Sequence, residues 1–286
     1  MSTPNPHNPL ADLTWLNIGD ICTALGVGPG TPLRGLVELA CRPAAQRFAR
    51  QILHLDQLVG VGGLPSGSSW ICAQLSDGLL ITGERPPAQG SLLVVANHPG
   101  LLDAAALASA IGRPDLRVLA IMRPFLRSLP NIATQLFAVG PTPGTRMAAV
   151  RAASRHLRAG GALLTFPAGR IEPDPVSMGG AENTLVEWST SLELITRLAQ
   201  PLTVVPAIVG GVISPEALHH PLTRLRRTAA DRQWLAAILQ LGWPALRRHK
   251  VRVAFGQPVA AHSQTITPIV HAEARRLISS LSRGDP

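Results

Sequence analysis

Tyrosine is absent from this 286-residue chain, and phenylalanine and tryptophan number five each. With aromatics at 3% and no recognisable nucleic-acid-binding motif, stacking surfaces are scarce, so the net charge of +9 does not point to nucleic acid. Cysteine is also sparse. Cys22, Cys41 and Cys72 are odd in number, widely spaced and set among apolar residues, which argues against a disulfide framework and fits buried thiols in a reducing compartment. No His-Glu-x-x-His occurs, and the adjacent His219 and His220 would face different directions on regular structure, so no metal is expected. No apolar run reaches the roughly 18 residues of a membrane-spanning helix. The nearest, Leu202 to Ile213, is broken by Pro206, Gly210 and Gly211 and reads as a strand and a turn. The opening residues are polar and proline-rich, without a charged region ahead of an apolar one, so secretion is not expected. No Gly-x-Ser-x-Gly is present, which disfavours a serine hydrolase.

What the chain does have is 46% hydrophobic residues against 15% charged ones, enough to bury a sizeable core and suited to work against lipid. Its basic residues are arginine with the exception of Lys250. Residues 1–90 hold five arginines and six acids, a net of −1, whereas 91–286 carry a net of +10. Within 197–252, Arg224, Arg226, Arg227, Arg247 and Arg248 meet only Glu216 and Asp231, and flank the apolar stretch Trp234–Trp243. That stretch reads either as an amphipathic helix on an anionic membrane or as a core helix with a solvated basic collar.

Short β-rich runs recur at Leu79–Gly83, Leu92–Ala96, Arg117–Ile121, Leu136–Val139, Ala162–Phe166, Leu202–Ile208 and Val251–Phe255. Helical patterns at Ala104–Ile111, Arg146–Arg158 and Asn183–Ala199 lie between them, which predicts an α/β fold with a largely parallel central sheet covered by helices on both faces. Residues 1–75 are expected to form an N-terminal helical extension, with helix over Pro32–Val59, and 76–286 the main domain. The Gly/Pro/Ser-rich stretch Gly60–Ser69 reads as a hinge or a tight loop, and Gly26–Gly30 as a turn.

The strand Leu92–Ala96 runs into Asn97-His98-Pro99-Gly100-Leu101-Leu102-Asp103. On an unbroken helix, side chains five residues apart point about 140° away from each other. The Pro-Gly pair forces a turn instead, and with a helix starting near Leu101, Asp103 can fold back toward His98. His98 would then act as a general base whose tautomer Asp103 fixes.

Further segments follow in order: Gly140-Pro-Thr-Pro-Gly-Thr-Arg146, Phe166-Pro-Ala-Gly-Arg170 and Val204-Val-Pro-Ala-Ile208. With the Asn-His-x-x-x-x-Asp of the first segment, they resemble the four blocks of the glycerolipid acyltransferases, the lysophosphatidic acid acyltransferase superfamily. The resemblance spans residues 91–210 and implies the same doubly covered α/β sheet. It also implies transfer of an acyl group from a thioester, carried by coenzyme A or acyl carrier protein, to a lipid hydroxyl. No cofactor is implied. By the resemblance His98 and Asp103 are catalytic, and Asn97, Gly140, Arg146, Phe166, Pro167, Gly169, Arg170 and Glu172 form the substrate site. Two guanidinium forks, those of Arg146 and Arg170, would suit a phosphomonoester. Three departures from the family's pattern are present, one of them the absence of the threonine usual before the arginine of the third block, so that Phe166-Pro-Ala-Gly-Arg170 runs one residue short. The glutamate usual in the third block is Ala168, as in a bacterial branch related to ornithine-lipid and haemolysin-like enzymes, and Pro143 replaces the aromatic residue usual in the second. Glu172 is a candidate substitute for the missing carboxylate. The expectation is a phospholipid-synthesising O-acyltransferase, peripheral on the inner, cytoplasmic face of an anionic membrane, with an ornithine-lipid acyltransferase or a non-catalytic lipid-binding protein as alternatives.

Overall fold

The structure is a computed structural model in which residues 8–188, 191–261 and 265–283 are described. An eight-stranded sheet forms its centre: β1 (Leu79–Thr82), β2 (Leu92–Ala96), β3 (Leu116–Ala120), β4 (Leu136–Ala138), β5 (Ala162–Thr165), β6 (Leu202–Gly210), β7 (Val251–Phe255) and β8 (Val259–Ala261). The spatial order is β1-β7-β6-β2-β5-β3-β4, with β8 beside the start of β6. From β6 to β4 all strands are parallel; β7 and β8 run against β6. Parallel neighbours must be joined by crossovers, and these provide the covering helices.

β2 is buried at every position, and its side chains alternate between two cores. Leu92, Val94 and Ala96 meet helices α2 (Arg34–Leu75) and α3 (Asp103–Ile111) on one side. Leu93 and Val95 meet α6 (Pro143–Arg158), α7 (Ser191–Ala199) and α10 (Thr267–Arg283) on the other. The predicted fold class and all seven predicted strands are present. β8 and α10 come in addition; α10 buries Val270, Ala274, Leu277, Ile278 and Leu281 at helical spacing.

The N-terminal extension begins with α1 (Pro9–Leu25), capped by the Asn8 side chain and ended by left-handed Gly26, so Gly26–Gly30 is a turn as expected. The stretch Gly60–Ser69, by contrast, is helical. α2 runs on to Leu75 and leaves helical geometry only at Gly62 and Gly63. There the chain doubles back. A Cβ on Gly67 would lie 2.7 Å from Val59 Cγ2 and 2.8 Å from Leu55 Cδ1, so glycine lets the second arm close on the first. The second arm then enters the main core through Ile71, Cys72 and Leu75. The segment Asn183–Ala199 is likewise two elements, a 3-10 helix (Ala181–Glu187) and α7; residues 189 and 190 between them lie outside the described residues.

Three short helices are each opened by proline at the first turn: α4 (Pro124–Arg127) and α5 (Pro130–Ala133) in succession between β3 and β4, and α8 (Pro215–Leu218) after β6. α9 (Ala229–Gly242) packs against α1 and α2, burying Leu235, Ala236 and Leu239. Trp234 at 37% and Trp243 at 50% exposure remain at the surface.

Candidate active site

The carboxyl ends of the central parallel strands β2, β5 and β6 converge, the usual place for a ligand in an open α/β sheet. β2 delivers Asn97 and His98 there. Asn97 is buried, and its amide extends the ladder: Nδ2 donates to Val209 O at 2.9 Å and Oδ1 accepts from Val209 N at 2.8 Å. Both ends of that amide serve the sheet, which fixes where His98 emerges.

The turn after His98 is tighter than a helix starting at Leu101 would make it. Gly100 and Leu101 both have left-handed φ values, 89° and 55°, and α3 begins at Asp103. A left-handed conformation is unfavourable for leucine, so the turn must be held by its surroundings. It returns Asp103 to the histidine: His98 Nδ1 and Asp103 Oδ2 are 2.7 Å apart. The carboxylate also accepts from Gly100 N at 2.6 Å and Ala104 N at 2.5 Å. Opposite that carboxylate Nδ1 is the donor, which leaves Nε2 to act as base. The His98 side chain is 31% exposed and Asp103 is buried at 3%.

Burial alone would lower the His98 pKa, and Arg123 lowers it further. The Asp103 charge and hydrogen bond, helped by Glu172, outweigh both and leave it raised. Arg123, just after β3, is thus part of the electrostatic surroundings. Its position in the chain carries no marker that would single it out from the other arginines.

β5 brings Phe166 to the same place. Its ring stacks on the imidazole with centroids 4.6 Å apart and planes 28° from parallel. Pro167 is buried in the turn that follows, which Gly169 N closes on Phe166 O at 3.1 Å, and Gly169 is left-handed at φ 65°. Ala168 is half-buried against the core on the α6 side.

Glu172 is 1% exposed and reaches the histidine from behind. Oε2 accepts from His98 N at 2.8 Å, while Glu172 N donates to His98 O at 2.8 Å. Thr184 Oγ1 and Trp188 Nε1 donate to Oε1 at 2.7 and 3.0 Å. Burial raises the Glu172 pKa, and the hydrogen bonds from Trp188, Thr184 and the His98 main chain oppose that rise. This carboxylate is spent on holding the histidine's backbone.

The two arginines lie apart from this cluster. Arg170 is exposed and paired in two-pronged fashion with Glu187, at 2.6 and 2.5 Å. Gly140 and Arg146 follow β4, the edge strand three places from β2, which is roughly 14 Å at the usual spacing between strands. Gly140 makes room for the Thr145 side chain, which forms a capping box with Thr142 at the start of α6. Arg146 is exposed, donates to Pro141 O at 2.8 Å and lines a groove of about 470 Å³ with Met147, Glu193, Leu194 and Arg197. The structure therefore unites His98, Asp103, Phe166 and Glu172, places Gly169 and Arg170 just beyond them, and puts Gly140 and Arg146 farther along the same rim.

Two buried residues without any sequence marker complete the frame. Asp174 is fully buried and accepts from Val176 N, Gly211 N and Val212 N, fastening the segment after Glu172 to the loop after β6. Gln233 on α9 donates to Pro99 O and to Glu172 O. Among the described residues no group of three or more His, Cys, Asp or Glu side chains could hold a metal, and no helix is long and apolar enough to cross a membrane.

A largely parallel sheet covered on both faces, with a His–Asp turn at the carboxyl end of a central strand and a helical extension ahead of it, defines the architecture. No family model matches the chain, and no curated protein matches it in sequence. In fold it is similar to the crystal structure of the 1-acyl-sn-glycerophosphate (LPA) acyltransferase PlsC from Thermotoga maritima, with a TM-score of 0.50 and 16% identity over 96% of this chain and 93% of that one.

Proposed function

We propose that this protein is an O-acyltransferase that moves a fatty acyl group from a thioester to the hydroxyl of a lysophospholipid or glycerol-phosphate-type acceptor. The observation that carries the reading is the His98–Asp103 pair at 2.7 Å, held on a fixed turn with the His98 side chain 31% exposed. His98 Nε2 takes the acceptor's hydroxyl proton as its oxygen attacks the thioester carbonyl, and Asp103 stabilises the imidazolium that forms. The tetrahedral intermediate expels the thiolate, which recovers the proton from His98. No nucleophilic side chain is needed, so the transfer is direct. The acyl donor is acyl-coenzyme A or acyl carrier protein, and the reaction calls for no cofactor. Arg170 and Arg146 bind the acceptor's anionic group, with Gly169 leaving space beside it; Arg170 exchanges Glu187 for the ligand. The fold shared with an LPA acyltransferase supports this assignment.

Ala168 favours a second acceptor class. An apolar residue at that place, with the Glu172 carboxylate occupied by His98 N, Thr184 and Trp188, leaves the acceptor pocket less charged and suits an ornithine lipid or another hydroxylated lipid. The protein acts peripherally at the inner, cytoplasmic face of an anionic membrane, where exposed Trp234, Trp243 and Leu225 next to Arg224, Arg227 and Arg248 meet headgroups.

The test is thiol release from acyl-coenzyme A and from acyl carrier protein, with lysophosphatidic acid, lyso-ornithine lipid and lysophospholipids as acceptors. Acceptor-dependent release that falls by at least about a hundredfold in His98→Ala is expected. Release by neither protein with lipid binding intact would replace this reading with that of a lipid-binding protein, and equal acceptor-dependent release by both would contradict His98 as the base.

A further inference from the structure

α9 walls the His98 turn, and it buries two glutamines, Gln233 at 5% and Gln240 at 1% exposure. Seven residues apart, they share one face of the helix. A buried amide is unfavourable unless its groups find partners, and both do so in loops at the carboxyl end of the sheet. Gln240 braces the loop after β6, accepting from Ser214 N at 2.8 Å and donating to Val212 O at 3.1 Å. Gln233 braces the histidine. Its Nε2 donates to Pro99 O and to Glu172 O, both at 3.1 Å.

Those two carbonyls belong to the segments that enclose His98. Pro99 begins the turn whose next two residues are left-handed, and Glu172 exchanges two hydrogen bonds with the His98 main chain. Leu101 is the one non-glycine residue with positive φ among the described residues, so this turn is the most strained backbone near the site. Asp103 restrains it from the inside through Gly100 N. Gln233 restrains it from the outside.

We infer that Gln233 is a positioning residue: its amide clamps the Pro99 turn to the Glu172 segment, and so keeps the imidazole on Asp103 Oδ2 and stacked on Phe166. The kinetic consequence rests on the acyltransferase reading; the geometric one does not. A shift of about 1 Å at a reacting group costs on the order of a hundredfold in rate, so a loose turn is felt in turnover before it is felt in binding.

The experiment compares Gln233→Met with Gln240→Met, which remove equally buried amides from the same helix face. Two readouts are taken: kcat and KM in thiol release, and the downfield proton NMR resonance of His98 Nδ1–H. Gln233→Met is expected to lower kcat at least about tenfold, to leave both KM values within about twofold, and to broaden or move the resonance. Gln240→Met is expected to lower thermal stability while leaving kcat and the resonance as in the wild type. Equal kcat losses in the two variants, or a wild-type resonance in Gln233→Met, would overturn the inference. Should Gln233→Met not fold, Gln233→Asn, one methylene short of both carbonyls, takes its place with the same criteria. A wild-type protein without transfer activity would count against the acyltransferase reading, and the resonance alone would then decide the role of Gln233.

Discussion

His98 sits under opposing influences whose balance has a sign that can be measured. Its pKa is raised, so the imidazolium–Asp103 pair contributes stability that is fully present below the unfolded value of about 6.5 and is lost as pH rises through the folded value. The difference in thermal stability between wild type and His98→Ala should therefore shrink as pH climbs through that window; a constant difference would show that the pair is not formed. The arginines make a second test. If Glu187 competes with the ligand for Arg170, Glu187→Ala should lower the acceptor KM and Arg170→Ala should raise it, with kcat little changed in either. At this scale the sequence was informative where chemistry demands a rare arrangement: histidine, Pro-Gly and aspartate within six residues admit few backbone solutions. It was silent on Gln233 and Asp174, because a glutamine in an apolar helix or an aspartate between prolines looks the same whether it faces solvent or holds a loop. Glu172 was legible as a residue of interest, but its partners Thr184 and Trp188 lie 12 and 16 residues on, in a 3-10 helix and at its end, which no spacing rule anticipates.

Elements were legible in proportion to their periodicity. The central parallel strands β2 and β5 are buried on both faces and read as continuous apolar runs, so they stood out. The first arm of α2 was legible as helix over Pro32–Val59, but the second was not, because a doubled-back helical pair needs glycines where two backbones approach, and those same glycines resemble a loop in the sequence. Gly63, at the reversal itself, is constrained by another part of the fold: its φ is +72°, and a Cβ there would lie 2.9 Å from Pro114 O, a main-chain atom between α3 and β3 that cannot easily give way. Gly63→Ala should cost at least about 1–2 kcal/mol in denaturant unfolding, combining left-handed strain with the clash. Gly28→Ala, in the loop after α1 with nothing within 4 Å of the new methyl, should cost far less. Equal effects would mean that the reversal at Gly62 and Gly63 is not seated against Pro114 in this way.

Across the whole molecule the charge is lopsided: a net of −1 over residues 1–90 and +10 over 91–286. Attraction of that kind to an anionic surface is screened over about 10 Å at 0.1 M salt. Cosedimentation with vesicles containing anionic lipid should be strong at low salt, fall steeply as salt rises and weaken in Trp234→Ala; salt-independent binding would shift the weight to apolar contacts. The same lopsidedness puts the basic part of the chain together with the site, so a lipid acceptor and a membrane surface would be met on one body. Whether the centre of that body performs base catalysis is decided most directly by the pH profile of kcat/KM for wild type and Asp103→Asn. A general base must be neutral, so the raised His98 pKa predicts a wild-type rate that climbs with pH through a midpoint above about 6.5. Asp103→Asn removes the charge that raises it, and should move this limb to lower pH while reducing the plateau. A profile without an acid limb, or one unchanged in Asp103→Asn, would contradict the His98–Asp103 mechanism.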